Sequence, residues 1–258
     1  MVKTDWNPEL YLKFGKERTQ PAIDLVSRIH VEHPRHVIDI GCGPGNSTQV
    51  LVQRWPQTKV TGVDNSPAMI EKARKDYPQQ EWLLADAGKD VIVGHFDIVF
   101  SNAAIQWIPD HETLLARFYH LLSDQGLIAI QVPQFRDIPI GKSISRIAQG
   151  SRWKSAAVGV SELLTIHNYA FYYDCLAKLF PSVEMWETYY MHVLDSHNTI
   201  LEMISSTGLR PYLERLETTT DKEDFTGELL AAIRKDYPLQ ENGKVIFPFK
   251  RLFFIARK

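Results

Sequence analysis

Residues 37–48 read VIDIGCGPGNST: an apolar run that holds an acid, Asp39, then Gly41, Gly43 and Gly45 at every second position, then a small polar helix start. Glycine has no Cβ, so the chain can turn tightly here and a ligand can lie against bare backbone. The loop reads as a ligand floor at the end of a first strand. Taken alone it also fits an ordinary tight turn, and what separates the two readings lies downstream.

Working outward, short apolar runs alternate with helical patterns. HVIDI is followed by STQVLVQRW, closed by Pro56. KVTGVD is followed by AMIEKARKDY, opened by Ser66 and Pro67 and ended by Pro78. Ser before Pro is a good N-cap and first-turn pair. EWLLAD, FDIVFSN, the helical HETLLARFYHLL and GLIAIQVP continue the series. Such alternation predicts an α/β fold, doubly wound, with a mostly parallel sheet covered by helices on both faces. After Pro133 the alternation stops, and 134–170 reads as a helical insertion or lid. NYAFYYDCLAKLF looks helical, VEMWETYYMHVL extended, 197–237 like two or three helices, and KVIFPFKRLFFIARK like a final strand.

Two nucleotide motifs compete for the loop. In a dinucleotide-binding GxGxxG the third glycine falls one position later, beneath a pyrophosphate, and here Asn46 stands there. The GxGxG spacing instead suits S-adenosylmethionine (SAM), whose methionine tail lies along the loop with Asp39 orienting its ammonium. Asp64, with Asn65 beside it, ends the VTGVD strand about twenty residues on, where an acid accepts ribose hydroxyls. Asp86 ends the next run, LLADA, where a carboxylate can accept from an adenine amino group beside an apolar pocket of Met69 and Ala87. Three successive strand ends then face one ligand, as open α/β sheets favour.

The bulk properties agree with a small ligand. A net charge of -2 over 258 residues leaves no basic stripe for a phosphate backbone, so nucleic acid is not the expected partner. The start, MVKTDWNPELYL, has no apolar targeting core, and no window reaches the roughly 20 apolar residues of a membrane span. A cytoplasmic protein with no membrane association is expected. Cys42 and Cys175 form no CxxC, so neither a disulfide framework nor a metal site is predicted. His111 fits a helix start, and none of the nine histidines is assigned a catalytic role.

DIGCGPG, VTGVDNSP and FDIVFSNAAIQW resemble the class I SAM-dependent methyltransferases. More particularly, DWNPELYLKFGKERTQPAIDL, NAAIQWIPDH, STGLRPYLERL and YPLQENGKVIFPFKRLFFIARK resemble the trans-aconitate 2-methyltransferase family, nearly end to end. The resemblance implies a seven-stranded Rossmann-like sheet in one domain over 1–258. It implies an N-terminal helical lid over 1–30, a SAM-binding core over 31–133, acceptor-site helices and a strand over 134–243, and a final strand over 244–258. It also implies SAM as cofactor, a polycarboxylate as small-molecule partner, and transfer of a methyl group to a carboxylate of trans-aconitate.

A carboxylate is ionised near neutral pH, so no general base is required. Positioning should dominate, and forked arginine donors suit a tricarboxylate. The candidates are Arg18, Arg210 and Arg251, with hydroxyls from Tyr212, Tyr172 and Tyr173. On periodicity alone Tyr11, Phe14 and Arg18 fit a plain amphipathic helix packing on the core; the resemblance implies instead a lid that carries Arg18, with Tyr11 and Phe14 on its apolar face. Arg210 stands between Gly208, which breaks one helix, and Pro211, which suits the first turn of another. Arg251 is either at a strand edge, the common placement, or aimed into a site. Asn102, Gln106 and Trp107 follow the fourth strand, where class I enzymes place groups near the transferred methyl. Met203 stands where the family usually has tryptophan, which would enlarge the acceptor pocket.

Overall fold

The strands assemble in the order β3-β2-β1-β4-β5-β7-β6 into a seven-stranded sheet. They are β1 (His36–Ile40), β2 (Lys59–Asp64), β3 (Glu81–Leu84), β4 (Phe96–Asn102), β5 (Leu122–Pro133), β6 (Ser182–Leu194) and β7 (Val245–Arg257). The computed structural model describes residues 5–258, so the first four residues of the expected lid lie outside the described part. Ahead of β1 lie α1 (Pro8–Leu12) and α2 (Gly15–Ser27), and between the strands run α3 (Asn46–Arg54), α4 (Pro67–Asp76), α5 (His111–Leu121) and α6 (Pro139–Ala148). After them come α7 (Tyr169–Ala177), α8 (His197–Ser205), α9 (Arg210–Leu213) and α10 (Thr219–Asp236).

The chain divides into two compact units. The first comprises the described residues up to Val132 together with His167–Glu187 and Leu252–Lys258. The second comprises Pro133–Ile166 and Thr188–Arg251. The stretch 134–243, expected as one acceptor region, therefore lends His167–Glu187 to the first unit.

In the first unit β1 pairs in parallel with β2 and β4, β2 with β3, and β4 with β5. The chain order reverses between β1 and β4, which opens a crevice at their carboxyl ends. Both strands are almost wholly buried, as interior strands of a parallel sheet are. The core beneath them gathers Ile38, Ile40, Val99, Ile128, Phe118, Tyr172 and Phe254. β7 runs antiparallel to β5: Lys258 N–H donates to Gly126 O, and Gln134 N–H to Lys250 O, so one strand retreats as the other advances.

Three local expectations need correction. β5 starts at Leu122, four residues before the apolar run that announced it, and a register shift between Phe96 and Ile98 accommodates its start. β3 stops at Leu84, so Asp86 lies in the following loop instead of at a strand end. β7 stands between β5 and β6 in the sheet, so Arg251 is not on an edge strand. Among the described residues no helix is long and apolar enough to cross a membrane.

Candidate active site

All three loop glycines take positive φ: 72° at Gly41, 54° at Gly43 and 97° at Gly45. Two have distinct reasons to lack a side chain. A Cβ on Gly41 would lie 2.1 Å from Ala104 Cβ, so this glycine lets the loop touch the turn after β4. A Cβ on Gly43 would meet nothing within 4 Å, so there the bare backbone faces open space. Asp39 sits beneath the loop, 0 % exposed, and its Oδ2 accepts from the hydroxyls of Ser47 and Thr48, each at 2.7 Å. These bonds tie β1 to the first turn of α3. Burial pushes the Asp39 carboxyl up to about 6, against the pull of the two hydroxyls.

Asp64 closes the loop from the side. Its Oδ2 accepts from Gly43 N–H and its Oδ1 from Ser66 N–H, both at 2.9 Å. Burial raises this carboxyl, and the two backbone donors oppose the shift. Ser66 caps α4 through Met69 N–H, which buries Met69 while Asn65 stays exposed. Asp86 is folded on its own loop: Oδ1 accepts from Gly88 N–H at 2.9 Å, and Lys89 lies 3.3 Å from Oδ2. Ala87 belongs to the core cluster.

The end of β4 supplies Asn102, whose Nδ2 donates to Arg18 O at 3.2 Å and so anchors α2. Arg18 is buried, with its guanidinium 4.3 Å from the centre of the Tyr11 ring and 5.7 Å from that of Phe14. The three residues expected together in the N-terminal segment are thus brought together. Burial lowers the Arg18 pKa. Gln106 is buried and donates to Ala103 O, while Trp107 meets Trp6 edge to face at 5.2 Å.

Tyr172 corrects the sequence reading. It is fully buried, its hydroxyl lies 2.8 Å from His111 Nδ1, and its ring packs on Phe254, so it offers no hydroxyl to an acceptor. Adjacent residues on a helix point about 100° apart, and Tyr173 is exposed instead. In the second unit Arg210 opens α9 and donates Nε–H to Glu214 Oε1 at 2.6 Å. α9 has four residues, too few for a strong helix-end field. Gly208 is required because a Cβ would stand 2.7 Å from the Phe135 ring. Tyr212 is half-buried against Phe225, and burial raises its phenol. Arg251 is buried, 4.8 Å from the Phe249 ring centre and 5.7 Å from that of Tyr190.

Sequence reasoning missed four contributors. Asp5 accepts from Ser66 Oγ and from Ala68 N–H, adding a second cap to α4 beside Asp64. Trp6 flanks Trp107. Asn46 Nδ2 donates to Thr19 Oγ1 at 2.8 Å, joining α3 to α2. Trp82 lies under the loop, where a Cβ on Gly45 or Gly62 would come within 2.8 Å and 2.4 Å of its ring. The motif DWNP held the only local signal, with Asn7 capping α1 behind Asp5 and Trp6.

Three buried acceptor oxygens around the β1–β4 crevice have no donor among the described residues: Asp39 Oδ1, Asn102 Oδ1 and Gln106 Oε1. Buried acceptors are costly to leave unpaired. A ligand bearing an ammonium and hydroxyls would supply such donors, and the open face of Gly43 would give it room. The residues present therefore fit SAM.

Comparison with known proteins gives the family of the chain. Residues 37–126 match the family described as methyltransferase domain. Trans-aconitate 2-methyltransferase of Escherichia coli is 39% identical over 255 residues, covering 99% of each chain. The enzyme of the same name from Enterobacter sp. strain 638 is 39% identical over 254 residues, covering 98% of each. A putative methyltransferase from Bacillus halodurans shares the fold with a TM-score of 0.60 at 13% identity, over 93% of this chain and 99% of that one. So does phosphoethanolamine N-methyltransferase 2 of Haemonchus contortus, solved with SAM, with a TM-score of 0.60 at 17% identity, over 97% of this chain and 56% of that one. The chain is a methyltransferase whose cofactor is SAM. With near-complete coverage on both sides, it belongs to the trans-aconitate 2-methyltransferase family.

Proposed function

We propose that this enzyme methylates a carboxylate oxygen of trans-aconitate, giving the monomethyl ester and S-adenosylhomocysteine. The observation that carries the reading is the 39% identity over 255 residues to enzymes named for that acceptor. SAM supplies a methyl group on a sulfonium, which becomes a neutral thioether as the carboxylate oxygen takes the methyl. The chain's own task is to hold the acceptor in line and exclude water.

The chemistry around the β4 end supports a reaction without a general base. Asn102 and Gln106 are amides, and both ring nitrogens of His111 are committed, one to Tyr172 and one to Ile105 O. A carboxylate with a pKa near about 4 needs no deprotonation. We propose Asp39, the glycine loop and Asp64 as the SAM-binding groups, with Asn65, Met69, Asp86, Ala87 and Asn102 completing the set. Arg18 in the first unit and Arg210 and Arg251 in the second are proposed as acceptor-positioning cations, with Tyr212 adding a hydroxyl. Arg18 and Arg251 are buried between aromatic rings, which favours forked, weakly hydrated guanidinium over lysine. The reaction is proposed to run in the cytoplasm, in keeping with two buried free thiols, Cys42 and Cys175.

The test incubates the protein with methyl-labelled SAM and a panel of di- and tricarboxylic acids and follows base-labile ester by mass spectrometry. Trans-aconitate is expected to be the preferred acceptor. Arg210→Ala should raise its KM about 10- to 100-fold, the loss of a charge-assisted hydrogen bond, with SAM affinity unchanged. Met203 is buried in α8, and preference for a bulkier acid would move the substrate assignment within the same chemistry. SAM binding without any ester would remove the carboxylate reading altogether.

A further inference from the structure

The turn after β4 carries Gln106 and Trp107 and is closed by local bonds from Gln106 Nε2 to Ala103 O, Trp107 N–H to Ala104 O and Ile108 N–H to Ile105 O, each worth little alone. Ala103 enters it at φ 54°, a conformation a non-glycine residue adopts only when its surroundings enforce it. The one-turn 3-10 helix Ile105–Trp107 has no side-chain cap, and turns this short are weak by themselves.

What braces it stands behind it. His111 is 1 % exposed, with Nε2 2.9 Å from Ile105 O and Nδ1 2.8 Å from the Tyr172 hydroxyl. A carbonyl only accepts, so Nε2 carries the hydrogen and donates to it. Nδ1 is then a lone pair and accepts from the Tyr172 O–H. Ile105 O also accepts from Ile108 N–H, so the imidazole occupies the carbonyl's second lone pair. The ring is held flat against Tyr172, with centroids 5.6 Å apart, and edge-on to His167, which stacks on Phe171 at 3.7 Å. Burial lowers the pKa of His111 and raises that of Tyr172, so one protonation state is held. A histidine serving only as filler would leave two polar nitrogens to be satisfied where leucine leaves none.

We propose that His111 is a positioning residue for methyl transfer: the chain of hydrogen bonds from Tyr172 through His111 to Ile105 fixes the 105–107 backbone and thereby aims Gln106 and Trp107. Its catalytic consequence rests on the methyl-transfer reading above and on the expectation that Gln106 and Trp107 stand near the transferred methyl. His111 acts through the turn and touches no substrate. The chain of bonds also explains why Tyr172 lies in the core: its hydroxyl donates to the lone pair that the bond to Ile105 O leaves on Nδ1.

The test uses the full chain and the variants His111→Ala, His111→Gln and Tyr172→Phe. Glutamine can still donate an N–H toward Ile105 O, whereas alanine cannot. Three quantities are read in each: hydrogen exchange of the peptide spanning 103–110, SAM affinity by calorimetry, and kcat and KM for trans-aconitate. His111→Ala should exchange faster in 103–110 and lose about tenfold or more in kcat/KM, with SAM affinity within about twofold. His111→Gln should recover most of both losses, and Tyr172→Phe should fall between. Unchanged exchange in His111→Ala overturns the inference. So does a loss of SAM affinity that tracks the loss of kcat/KM in alanine and glutamine variants alike, because that is a general packing defect. If the wild-type protein esterifies no polycarboxylate, the substrate reading fails separately, and exchange with its rescue by glutamine still decides whether His111 braces the turn.

Discussion

Asp39 is the residue on which the site's electrostatics turn. Its native carboxyl titrates at about 6, above the roughly 3.9 of an unfolded aspartate, so the native chain binds this proton more tightly. The contribution therefore favours the fold at low pH and is lost as pH rises from about 4 to about 6, levelling at a cost on the order of 3 kcal/mol. A ligand donor at Oδ1 offsets part of that cost. The SAM-induced rise in Tm should accordingly be larger at about pH 7.5 than at about pH 5. Asp39→Asn keeps a carbonyl for Ser47 and Thr48 and removes the buried charge. Its unliganded Tm should match or exceed wild type at about pH 7.5, while at least half of the SAM shift disappears. A variant that melts well below wild type with its SAM response intact would falsify the ligand role. Asp39 and the glycines were legible in the sequence because positive φ and close approach call for glycine. Tyr172 was not, because YAFYYD is aromatic around much of α7 and shows no single apolar face.

At the scale of the element, α4 shows how a distant residue completes a local signal. Ser66 and Pro67 announced its start correctly, and Ser66 caps it. The second cap comes from Asp5, 61 residues earlier in the chain. No window centred on α4 contains that residue. The same bond steadies the Asp64–Ser66 segment, since Ser66 N–H holds Asp64 Oδ1. Asp5→Ala should weaken SAM binding about fivefold, the equivalent of about 1 kcal/mol, and calorimetry at moderate ionic strength checks it. An unchanged affinity with a lowered Tm would confine Asp5 to capping. β3 and its loop were misread for a related reason: LLADA continues the apolar run past Leu84, but the bonds from Gly88 N–H to Asp86 Oδ1 and from Asp86 N–H to Asp90 Oδ2 turn the chain away from the sheet.

At the scale of the molecule, the order of elements was readable from alternation alone, while the two units were not, because each is built from separated stretches of chain. The first unit takes Leu252–Lys258 for its core strand. Leu252, Phe253, Phe254 and Ile255 are all 0 % exposed. Burying four such side chains contributes roughly 6–12 kcal/mol, comparable with the whole stability of a domain. A chain ending at Arg251 should therefore lose its cooperative melting transition and its SAM binding, as near-ultraviolet dichroism and calorimetry would report. Retention of both would show that this stretch is dispensable. The placement also sets a schedule for synthesis. Domains usually fold as they leave the ribosome, the amino-terminal part first. Here the glycine loop, Asp39 and Asp64 emerge early, but the strand that seals the core beneath them is made only after the entire second unit. The nascent protein therefore carries an open sheet from the end of β5 until the second unit has been made, and cofactor uptake is expected only once that last strand has arrived.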